Sequence, residues 1–169
     1  MSHVPKHSEP TKRITSHVAL PAPSRQALVS LLNSQVATSI DLYTQLRQAK
    51  WNVAGLEFIA LHGLFDQISR DVDRWSDQIA ERAATLGGYV MGTARLAVAG
   101  SFLQEYDLDA LSGAAHVKAL VMQMATYTTR LREAIATAST VEDPPTVDLL
   151  TVVLGQAERD LWLVESHLG

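Results

Sequence analysis

Cysteine is absent from all 169 residues, which excludes a disulfide framework and any thiolate metal or redox site. No uninterrupted apolar run approaches the roughly 18 residues that a membrane helix needs. The first 25 residues, MSHVPKHSEPTKRITSHVALPAPSR, lack the apolar core of a secretory signal, so a cytoplasmic location is expected. Glu-x-x-His is also missing, and with it the motif that holds a di-iron centre inside a four-helix bundle. Nor is there a broad positive charge. Lys6, Lys12, Arg13 and Arg25 against Glu9 give the first 25 residues +3, so a chain of net −4 carries −7 on the remainder. An acidic body with a mildly basic tail does not attract DNA over its whole surface, although the tail can touch phosphates.

What is present suits one globular domain: 47 % hydrophobic and 19 % charged residues. Residues 1–23 contain four of the six prolines and no helical period, and are expected to form a flexible arm. Three of the six histidines, His3, His7 and His17, lie there and are read as solvated side chains. Residues 24–169 read as helical throughout. Ser24 is the expected N-cap of a helix running to about Trp51, with Leu28, Leu32, Val36, Ile40, Tyr43 and Leu46 inward. A second helix ends at Gly87-Gly88, a pair suited to a left-handed cap. A long connection from Tyr89 to about Ser112, apolar around Ala94–Ala99 and with a short helix of its own, leads to a third helix over about Gly113–Thr137. Asp143 and Pro144-Pro145 mark the start of the fourth. Four helices with one long central crossover predict an all-α, ferritin-like four-helix bundle.

The second helix carries the chemistry. At about 100° per residue, Phe58, Leu61, Phe65, Ile68, Val72, Trp75, Ile79 and Leu86 share one arc of roughly 100° and bury the helix against its own chain. His62, Asp66, Asp73, Asp77 and Glu81 share another arc, centred roughly 145° away. These residues face outward. His62 and Asp77 are separated by roughly 22 Å along the helix axis, whereas metal–ligand bonds are near 2 Å, so one helix cannot close one site with both. Two antiparallel copies about a two-fold axis bring the His62/Asp66 pair of one chain to the Asp77/Glu81 pair of the other and form two symmetric sites. Such oxygen and imidazole donors suit Fe(II), Mn or Zn alike. The competing reading is a solvated acidic face that happens to include a histidine.

The stretch WNVAGLEFIALHGLFD, followed by DQIAERAATLGG and GT, closely resembles the signature of the Dps mini-ferritins, the starved-cell DNA-protection proteins. The resemblance covers about residues 25–168, including the final TVDLLTVVLGQAERDLWLVESHL. It implies a homododecameric shell that binds Fe(II) between two-fold-related chains, oxidises it preferentially with hydrogen peroxide and stores the ferric product inside, thereby protecting DNA. By position, His62 comes from one chain with Asp66 as a second-metal or outer-shell group, and Asp77 and Glu81 come from the neighbour. The resemblance also places Trp51 beside the site, where an indole can absorb oxidising equivalents; the alternative is a large core aromatic at a helix end. Asp148, and with less support Asp143, match the family's acidic three-fold pores, although both also suit the start of a helix as caps.

One position departs from the family pattern. A histidine usually precedes the Trp-Asn at the end of the first helix, and this chain has Lys50. A protonated lysine has no lone pair and cannot replace imidazole as a ligand, so pairing with Asp77, Glu81 or Asp66 is expected. So paired it takes the place of one cation, leaving one strong iron site and a weakened second; a lysine that swings aside while water completes the shell, or one that merely snorkels past the helix end, are the alternatives. Two rival functions follow: a non-catalytic, nucleoid-associated shell whose metal site Lys50 has disabled, and a Zn- or Mn-buffering protein. Trp75 and Trp162 are assigned to packing, and His116 and His167 to structural roles.

Overall fold

The structure, a computed structural model, describes residues 15–168, so His3, His7 and the basic residues Lys6, Lys12 and Arg13 lie outside the described residues. Among the described residues five helices follow in order: α1 (Ala22–Asn52), α2 (Phe58–Thr85), α3 (Ala94–Gly100), α4 (Gly113–Thr140) and α5 (Pro144–Glu165). The long helices form two hairpins, α1 with α2 and α4 with α5, because the turns at 53–57 and 141–143 are too short for anything but antiparallel neighbours. The hairpins pack with α1 on α4 and α2 on α5. The connection over 86–112 carries α3 along α1 and returns the chain to the N-terminal end of α2. There Leu61 Cδ1 comes within 2.8 Å of where a Cβ on Gly113 would lie. At the opposite end Arg82 of α2 meets Asp143 at the start of α5. Helices α2 and α4 therefore run parallel, and α5 runs against both.

Element boundaries follow local chemistry. Helix α1 begins two residues before Ser24, behind Pro21 and without a side-chain cap. Pro23 fits the first turn, where no backbone donor is needed, and Arg25 bonds the Leu20 carbonyl at 2.6 Å. Helix α2 closes in a Schellman arrangement: Gly88 N–H donates to Ala83 O at 3.0 Å and Gly87 N–H to Ala84 O at 2.8 Å, with Gly87 at φ +84°. Gly88 cannot carry a side chain, since Val29 Cγ1 lies 2.4 Å from where its Cβ would be.

The core is the seam of the four long helices: Leu28, Leu32, Leu42 and Leu46 from α1, Leu61, Phe65, Ile68, Val72, Trp75 and Ile79 from α2, and Leu120, Tyr127, Leu150 and Val153 from α4 and α5. Trp75 and Tyr127 stack at 6.4 Å between ring centroids and 9° between planes. Their polar ends are satisfied. Trp75 Nε1–H donates to Gln156 Oε1 at 2.6 Å. Ser39 Oγ donates to the Gln35 carbonyl at 2.9 Å and so accepts from the Tyr127 hydroxyl at 2.9 Å. Phe58, expected in the apolar seam, is 39 % exposed at the first turn of α2, and Trp162, expected to pack, is 61 % exposed. Position 162 lies about 140° from the centre of the buried arc of α5, which accounts for its exposure. No helix among the described residues is long and apolar enough to cross a membrane.

Candidate functional site

The α1–α2 turn returns the chain past the end of α1, so residues twelve to sixteen apart in sequence meet. The last four carbonyls of a helix have no partner within it. One of them, Lys50 O, accepts a hydrogen bond from His62 Nδ1–H at 3.2 Å. A carbonyl can only accept, so this contact assigns the proton to Nδ1 and leaves the lone pair on Nε2. That arrangement, a backbone carbonyl behind one ring nitrogen and a free lone pair on the other, is what a metal-ligating imidazole requires. Phe58 supports the ring, with centroids 5.1 Å apart.

Asp66 stands one turn further along α2, and both of its oxygens are committed. Lys50 Nζ pairs with Oδ1 and Arg70 with Oδ2. Lys50 thus selects Asp66 from the three acids considered above, and its side chain is 17 % exposed. The hydrogen bond from Lys50, reinforced by the charge of Arg70, holds the Asp66 carboxyl below its ordinary pKa despite partial burial. Arg70 sits one turn from Asp66 on the same face. Its i,i+4 spacing was the available signal for a residue that sequence reasoning missed.

Asp77 and Glu81 lie exposed on the C-terminal half of α2, and neither side chain forms a hydrogen bond or ion pair among the described residues. Asp73 between the two halves is likewise exposed. The structure therefore brings His62, Asp66 and Lys50 together and leaves Asp77 and Glu81 apart from them. Among the described residues, no three His, Asp or Glu side chains of one chain converge on a point where a metal could sit.

Trp51 is 64 % exposed, so it is not a core aromatic of this chain. The Arg47 guanidinium lies 5.1 Å from its ring centroid and 5.7 Å from that of Tyr43. This is a cation–π stack at the mouth of the turn. Of the remaining histidines, His17 is exposed and His167 bonds the Leu163 carbonyl one turn back at 3.0 Å. His116 is buried and shares a hydrogen bond between Nδ1 and the Tyr106 hydroxyl at 2.6 Å; burial lowers its pKa.

At the start of α5, Asp143 and Asp148 differ sharply. Asp143 is buried, with Arg82 donating to both oxygens at 2.9 and 2.7 Å and Thr146 donating to Oδ2. Burial raises its pKa, but the bonds from Thr146 and Arg82 outweigh that and leave it below the ordinary value. Asp148 is exposed, with no side-chain partner among the described residues. A further acidic pair, unanticipated from sequence, lies between α2 and α5: Asp71 and Asp160, both buried. Burial, with the neighbouring Asp71 charge, pushes Asp160 up to about 6.

Residues 29–169 match the family model of the ferritin-like domain. A DNA protection during starvation protein of Agrobacterium fabrum is 32 % identical over 149 residues, covering 88 % of this chain and 92 % of that protein. A protein of the same name from Mycolicibacterium smegmatis is 31 % identical over 143 residues, covering 83 % and 76 %. Among solved structures, DpsC from Streptomyces coelicolor superposes with a TM-score of 0.88 at 26 % identity, over 93 % of this chain and 92 % of that one. Mycobacterium smegmatis Dps in its tetragonal form gives 0.87 at 28 % identity, over 92 % and 93 %. With the bundle, the crossover helix and this extent of match together, the chain belongs to the Dps family of ferritin-like proteins.

Proposed function

We propose that this chain is a ferroxidase and iron-storage protein. It assembles as a homododecamer, binds Fe(II) at sites shared by two-fold-related chains, oxidises it with hydrogen peroxide in preference to dioxygen, and retains the ferric product inside the shell. Removing Fe(II) and peroxide together suppresses hydroxyl-radical chemistry and so protects DNA in the cytoplasm. The observation that carries this reading is the division of donors along α2. His62 has its Nδ1–H tied to Lys50 O and its Nε2 lone pair free. The carboxylates able to complete its shell, Asp77 and Glu81, stand without a side-chain partner among the described residues, roughly 22 and 28 Å further along the same helix. A second copy in antiparallel register supplies them. His62, Asp77 and Glu81 then bind the metal, and Asp66 serves as an outer group. Trp51, exposed beside the turn, is the residue nearest in sequence that can give up an electron. Iron is substrate here, and Zn or Mn fits the same donors as an inhibitor or as buffered cargo.

Shared sites make a prediction that no single-chain site can meet. His62→Ala and Asp77→Ala each remove one half of every site, so each pure assembly should lose rapid peroxide-driven oxidation of Fe(II). In a dimer of one chain of each kind, one of the two sites receives both intact halves and the other receives neither. Co-assembling the two variants in equal amounts should therefore restore about one quarter of the native sites. The measurement is iron oxidised in the fast phase, after anaerobic Fe(II) loading and peroxide addition. No recovery on mixing refutes the shared site. A native chain that oxidises iron no faster than buffer refutes the ferroxidase and leaves metal buffering or a DNA-binding shell.

Asp148, exposed near the start of α5, is the carboxylate proposed to draw cations to the pore. Asp143 is held by Arg82 and is proposed to shape that helix end instead. DNA contact, where it occurs, falls to the basic N-terminal residues.

A further inference from the structure

The contacts of Asp66 bear on how many metal ions a site can hold. A carboxylate that ligates a second metal ion must turn at least one oxygen towards it, and in this chain both already face cations, Oδ1 towards Lys50 Nζ and Oδ2 towards Arg70. Lys50 is not a loose surface cation: its side chain is 17 % exposed, against 62 % for Arg70. It is anchored at both ends, its carbonyl accepting from His62 and its ammonium donating to Asp66. The same residue thus orients the imidazole and covers the carboxylate beside it.

Charge makes the consequence specific. A shared site built from His62, Asp66 and Lys50 with Arg70, facing Asp77 and Glu81 of the neighbouring copy, contains three carboxylates and two fixed cations around a neutral imidazole. Its net charge is −1. One divalent ion brings the site to +1; a second would bring it to +3 and lie against an ammonium that cannot ligate. We infer that Lys50 is a resident cation of the site, restricting each shared site to one divalent metal ion held by His62 and by the neighbouring copy's Asp77 and Glu81. Lys50 is a positioning and specificity-determining residue, not a ligand. This inference rests on the shared-site reading above and narrows it.

Cobalt(II) counts the ions without turnover, since it needs no oxidant and its visible absorption reports the donors around it. Metal-free assembled protein, titrated with cobalt(II) and followed by calorimetry and absorption, should bind one ion per chain. Lys50→Arg keeps a cation and should also bind one. Lys50→His should bind two, a doubling, and Lys50→Met, which removes the cation without adding a donor, should take a second ion more weakly. Should Lys50→His fail to assemble, Lys50→Met decides. Native protein that binds two ions per chain overturns the inference, as does a count that stays at one in both Lys50→His and Lys50→Met. The shared site itself fails in a different way: cobalt binding would then be indifferent to His62→Ala and Asp77→Ala.

Discussion

Replacing Asp160 with asparagine should make the protein more stable at neutral pH, although it removes a charged residue that has a basic neighbour. Asp160 is 3 % exposed, on a stretch of α5 that packs on α2. Burial, and next the charge of Asp71, raise its pKa from 3.8 to about 6, against the opposing pull of Arg159 and Arg74. A raised carboxylate pKa means that the folded state binds the proton more tightly than the unfolded chain. Stability therefore falls as pH rises from about 4 to about 6, and above that the native structure carries the full cost of a buried charge. That rise in pKa corresponds to about 3 kcal/mol as an upper bound. Asparagine keeps the shape without the charge. The variant should gain about 1–3 kcal/mol at pH 7.5, or roughly 2–10 °C in melting temperature for a chain of this size. The gain should vanish near pH 4, where the native carboxyl is protonated. Thermal unfolding of both proteins at matched concentration and assembly state, at pH 7.5 and pH 4.5, tests this. Equal or lower stability of Asp160→Asn at pH 7.5 refutes the reasoning. It would mean that the 3.2 Å contact with Arg159, a residue 67 % exposed, outweighs the burial.

Two further outcomes follow from the start of α5. Arg82→Met strands the Asp143 carboxylate in a buried position and should cost about 3–5 kcal/mol in urea unfolding, most of it recovered in Arg82→Met/Asp143→Leu. Because the Asp143 pKa lies below its ordinary value, the stability this pair supplies is present above about pH 4 and is lost as pH falls through the folded pKa. Asp148→Asn, in contrast, should leave unfolding unchanged while slowing Fe(II) entry about tenfold at low ionic strength, read by stopped-flow absorbance; an equal slowing by Asp143→Asn with unchanged stability would reverse the two roles.

Helical periodicity made most of the fold legible. Leu61, Phe65, Ile68, Val72, Trp75 and Ile79 recur at three- and four-residue steps, and all are buried. Gly87-Gly88 announced the end of α2, because only a residue tolerant of positive φ completes that cap. The errors came where local preference and packing diverge. Ser24 is a good cap residue, but Pro21 and Pro23 start the helix earlier. Trp162 reads as part of an apolar stripe next to Leu161 and Val164, yet its helical phase places it on the outer side. Asp160 went unnoticed despite lying in the buried phase of α5, since its position between Ala157 and Val164 was the sign of a carboxylate that had to be buried. For Lys50 the sequence left three acidic partners. The choice of Asp66 depends on the angle at which the α1–α2 turn returns the chain, which no pattern of residues encodes directly.

The same turn explains why the donors are divided as they are. A hairpin places the end of α1 against the beginning of α2, so the carbonyl of Lys50 can fix His62 without any other part of the molecule. The far half of α2 lies beside the N-terminal end of α1, which offers no free helix carbonyls, and Asp77 and Glu81 are exposed there with no side-chain partner among the described residues. In the proposed shared site, an imidazole oriented by its own chain would meet carboxylates oriented by nothing within theirs, a site preorganised on one side alone. Metal binding would then be coupled to association: each copy would gain the other's carboxylates, and a divalent ion would draw together two acidic surfaces that otherwise repel. Lys50 and Arg70 fit this scheme because they reduce the repulsion before any metal arrives, neutralising Asp66 at the position where the neighbouring copy's acids must approach. A chain with a neutral residue at position 50 would meet its neighbour with one more uncompensated charge at each shared site, and would depend correspondingly more on the ion to hold the pair.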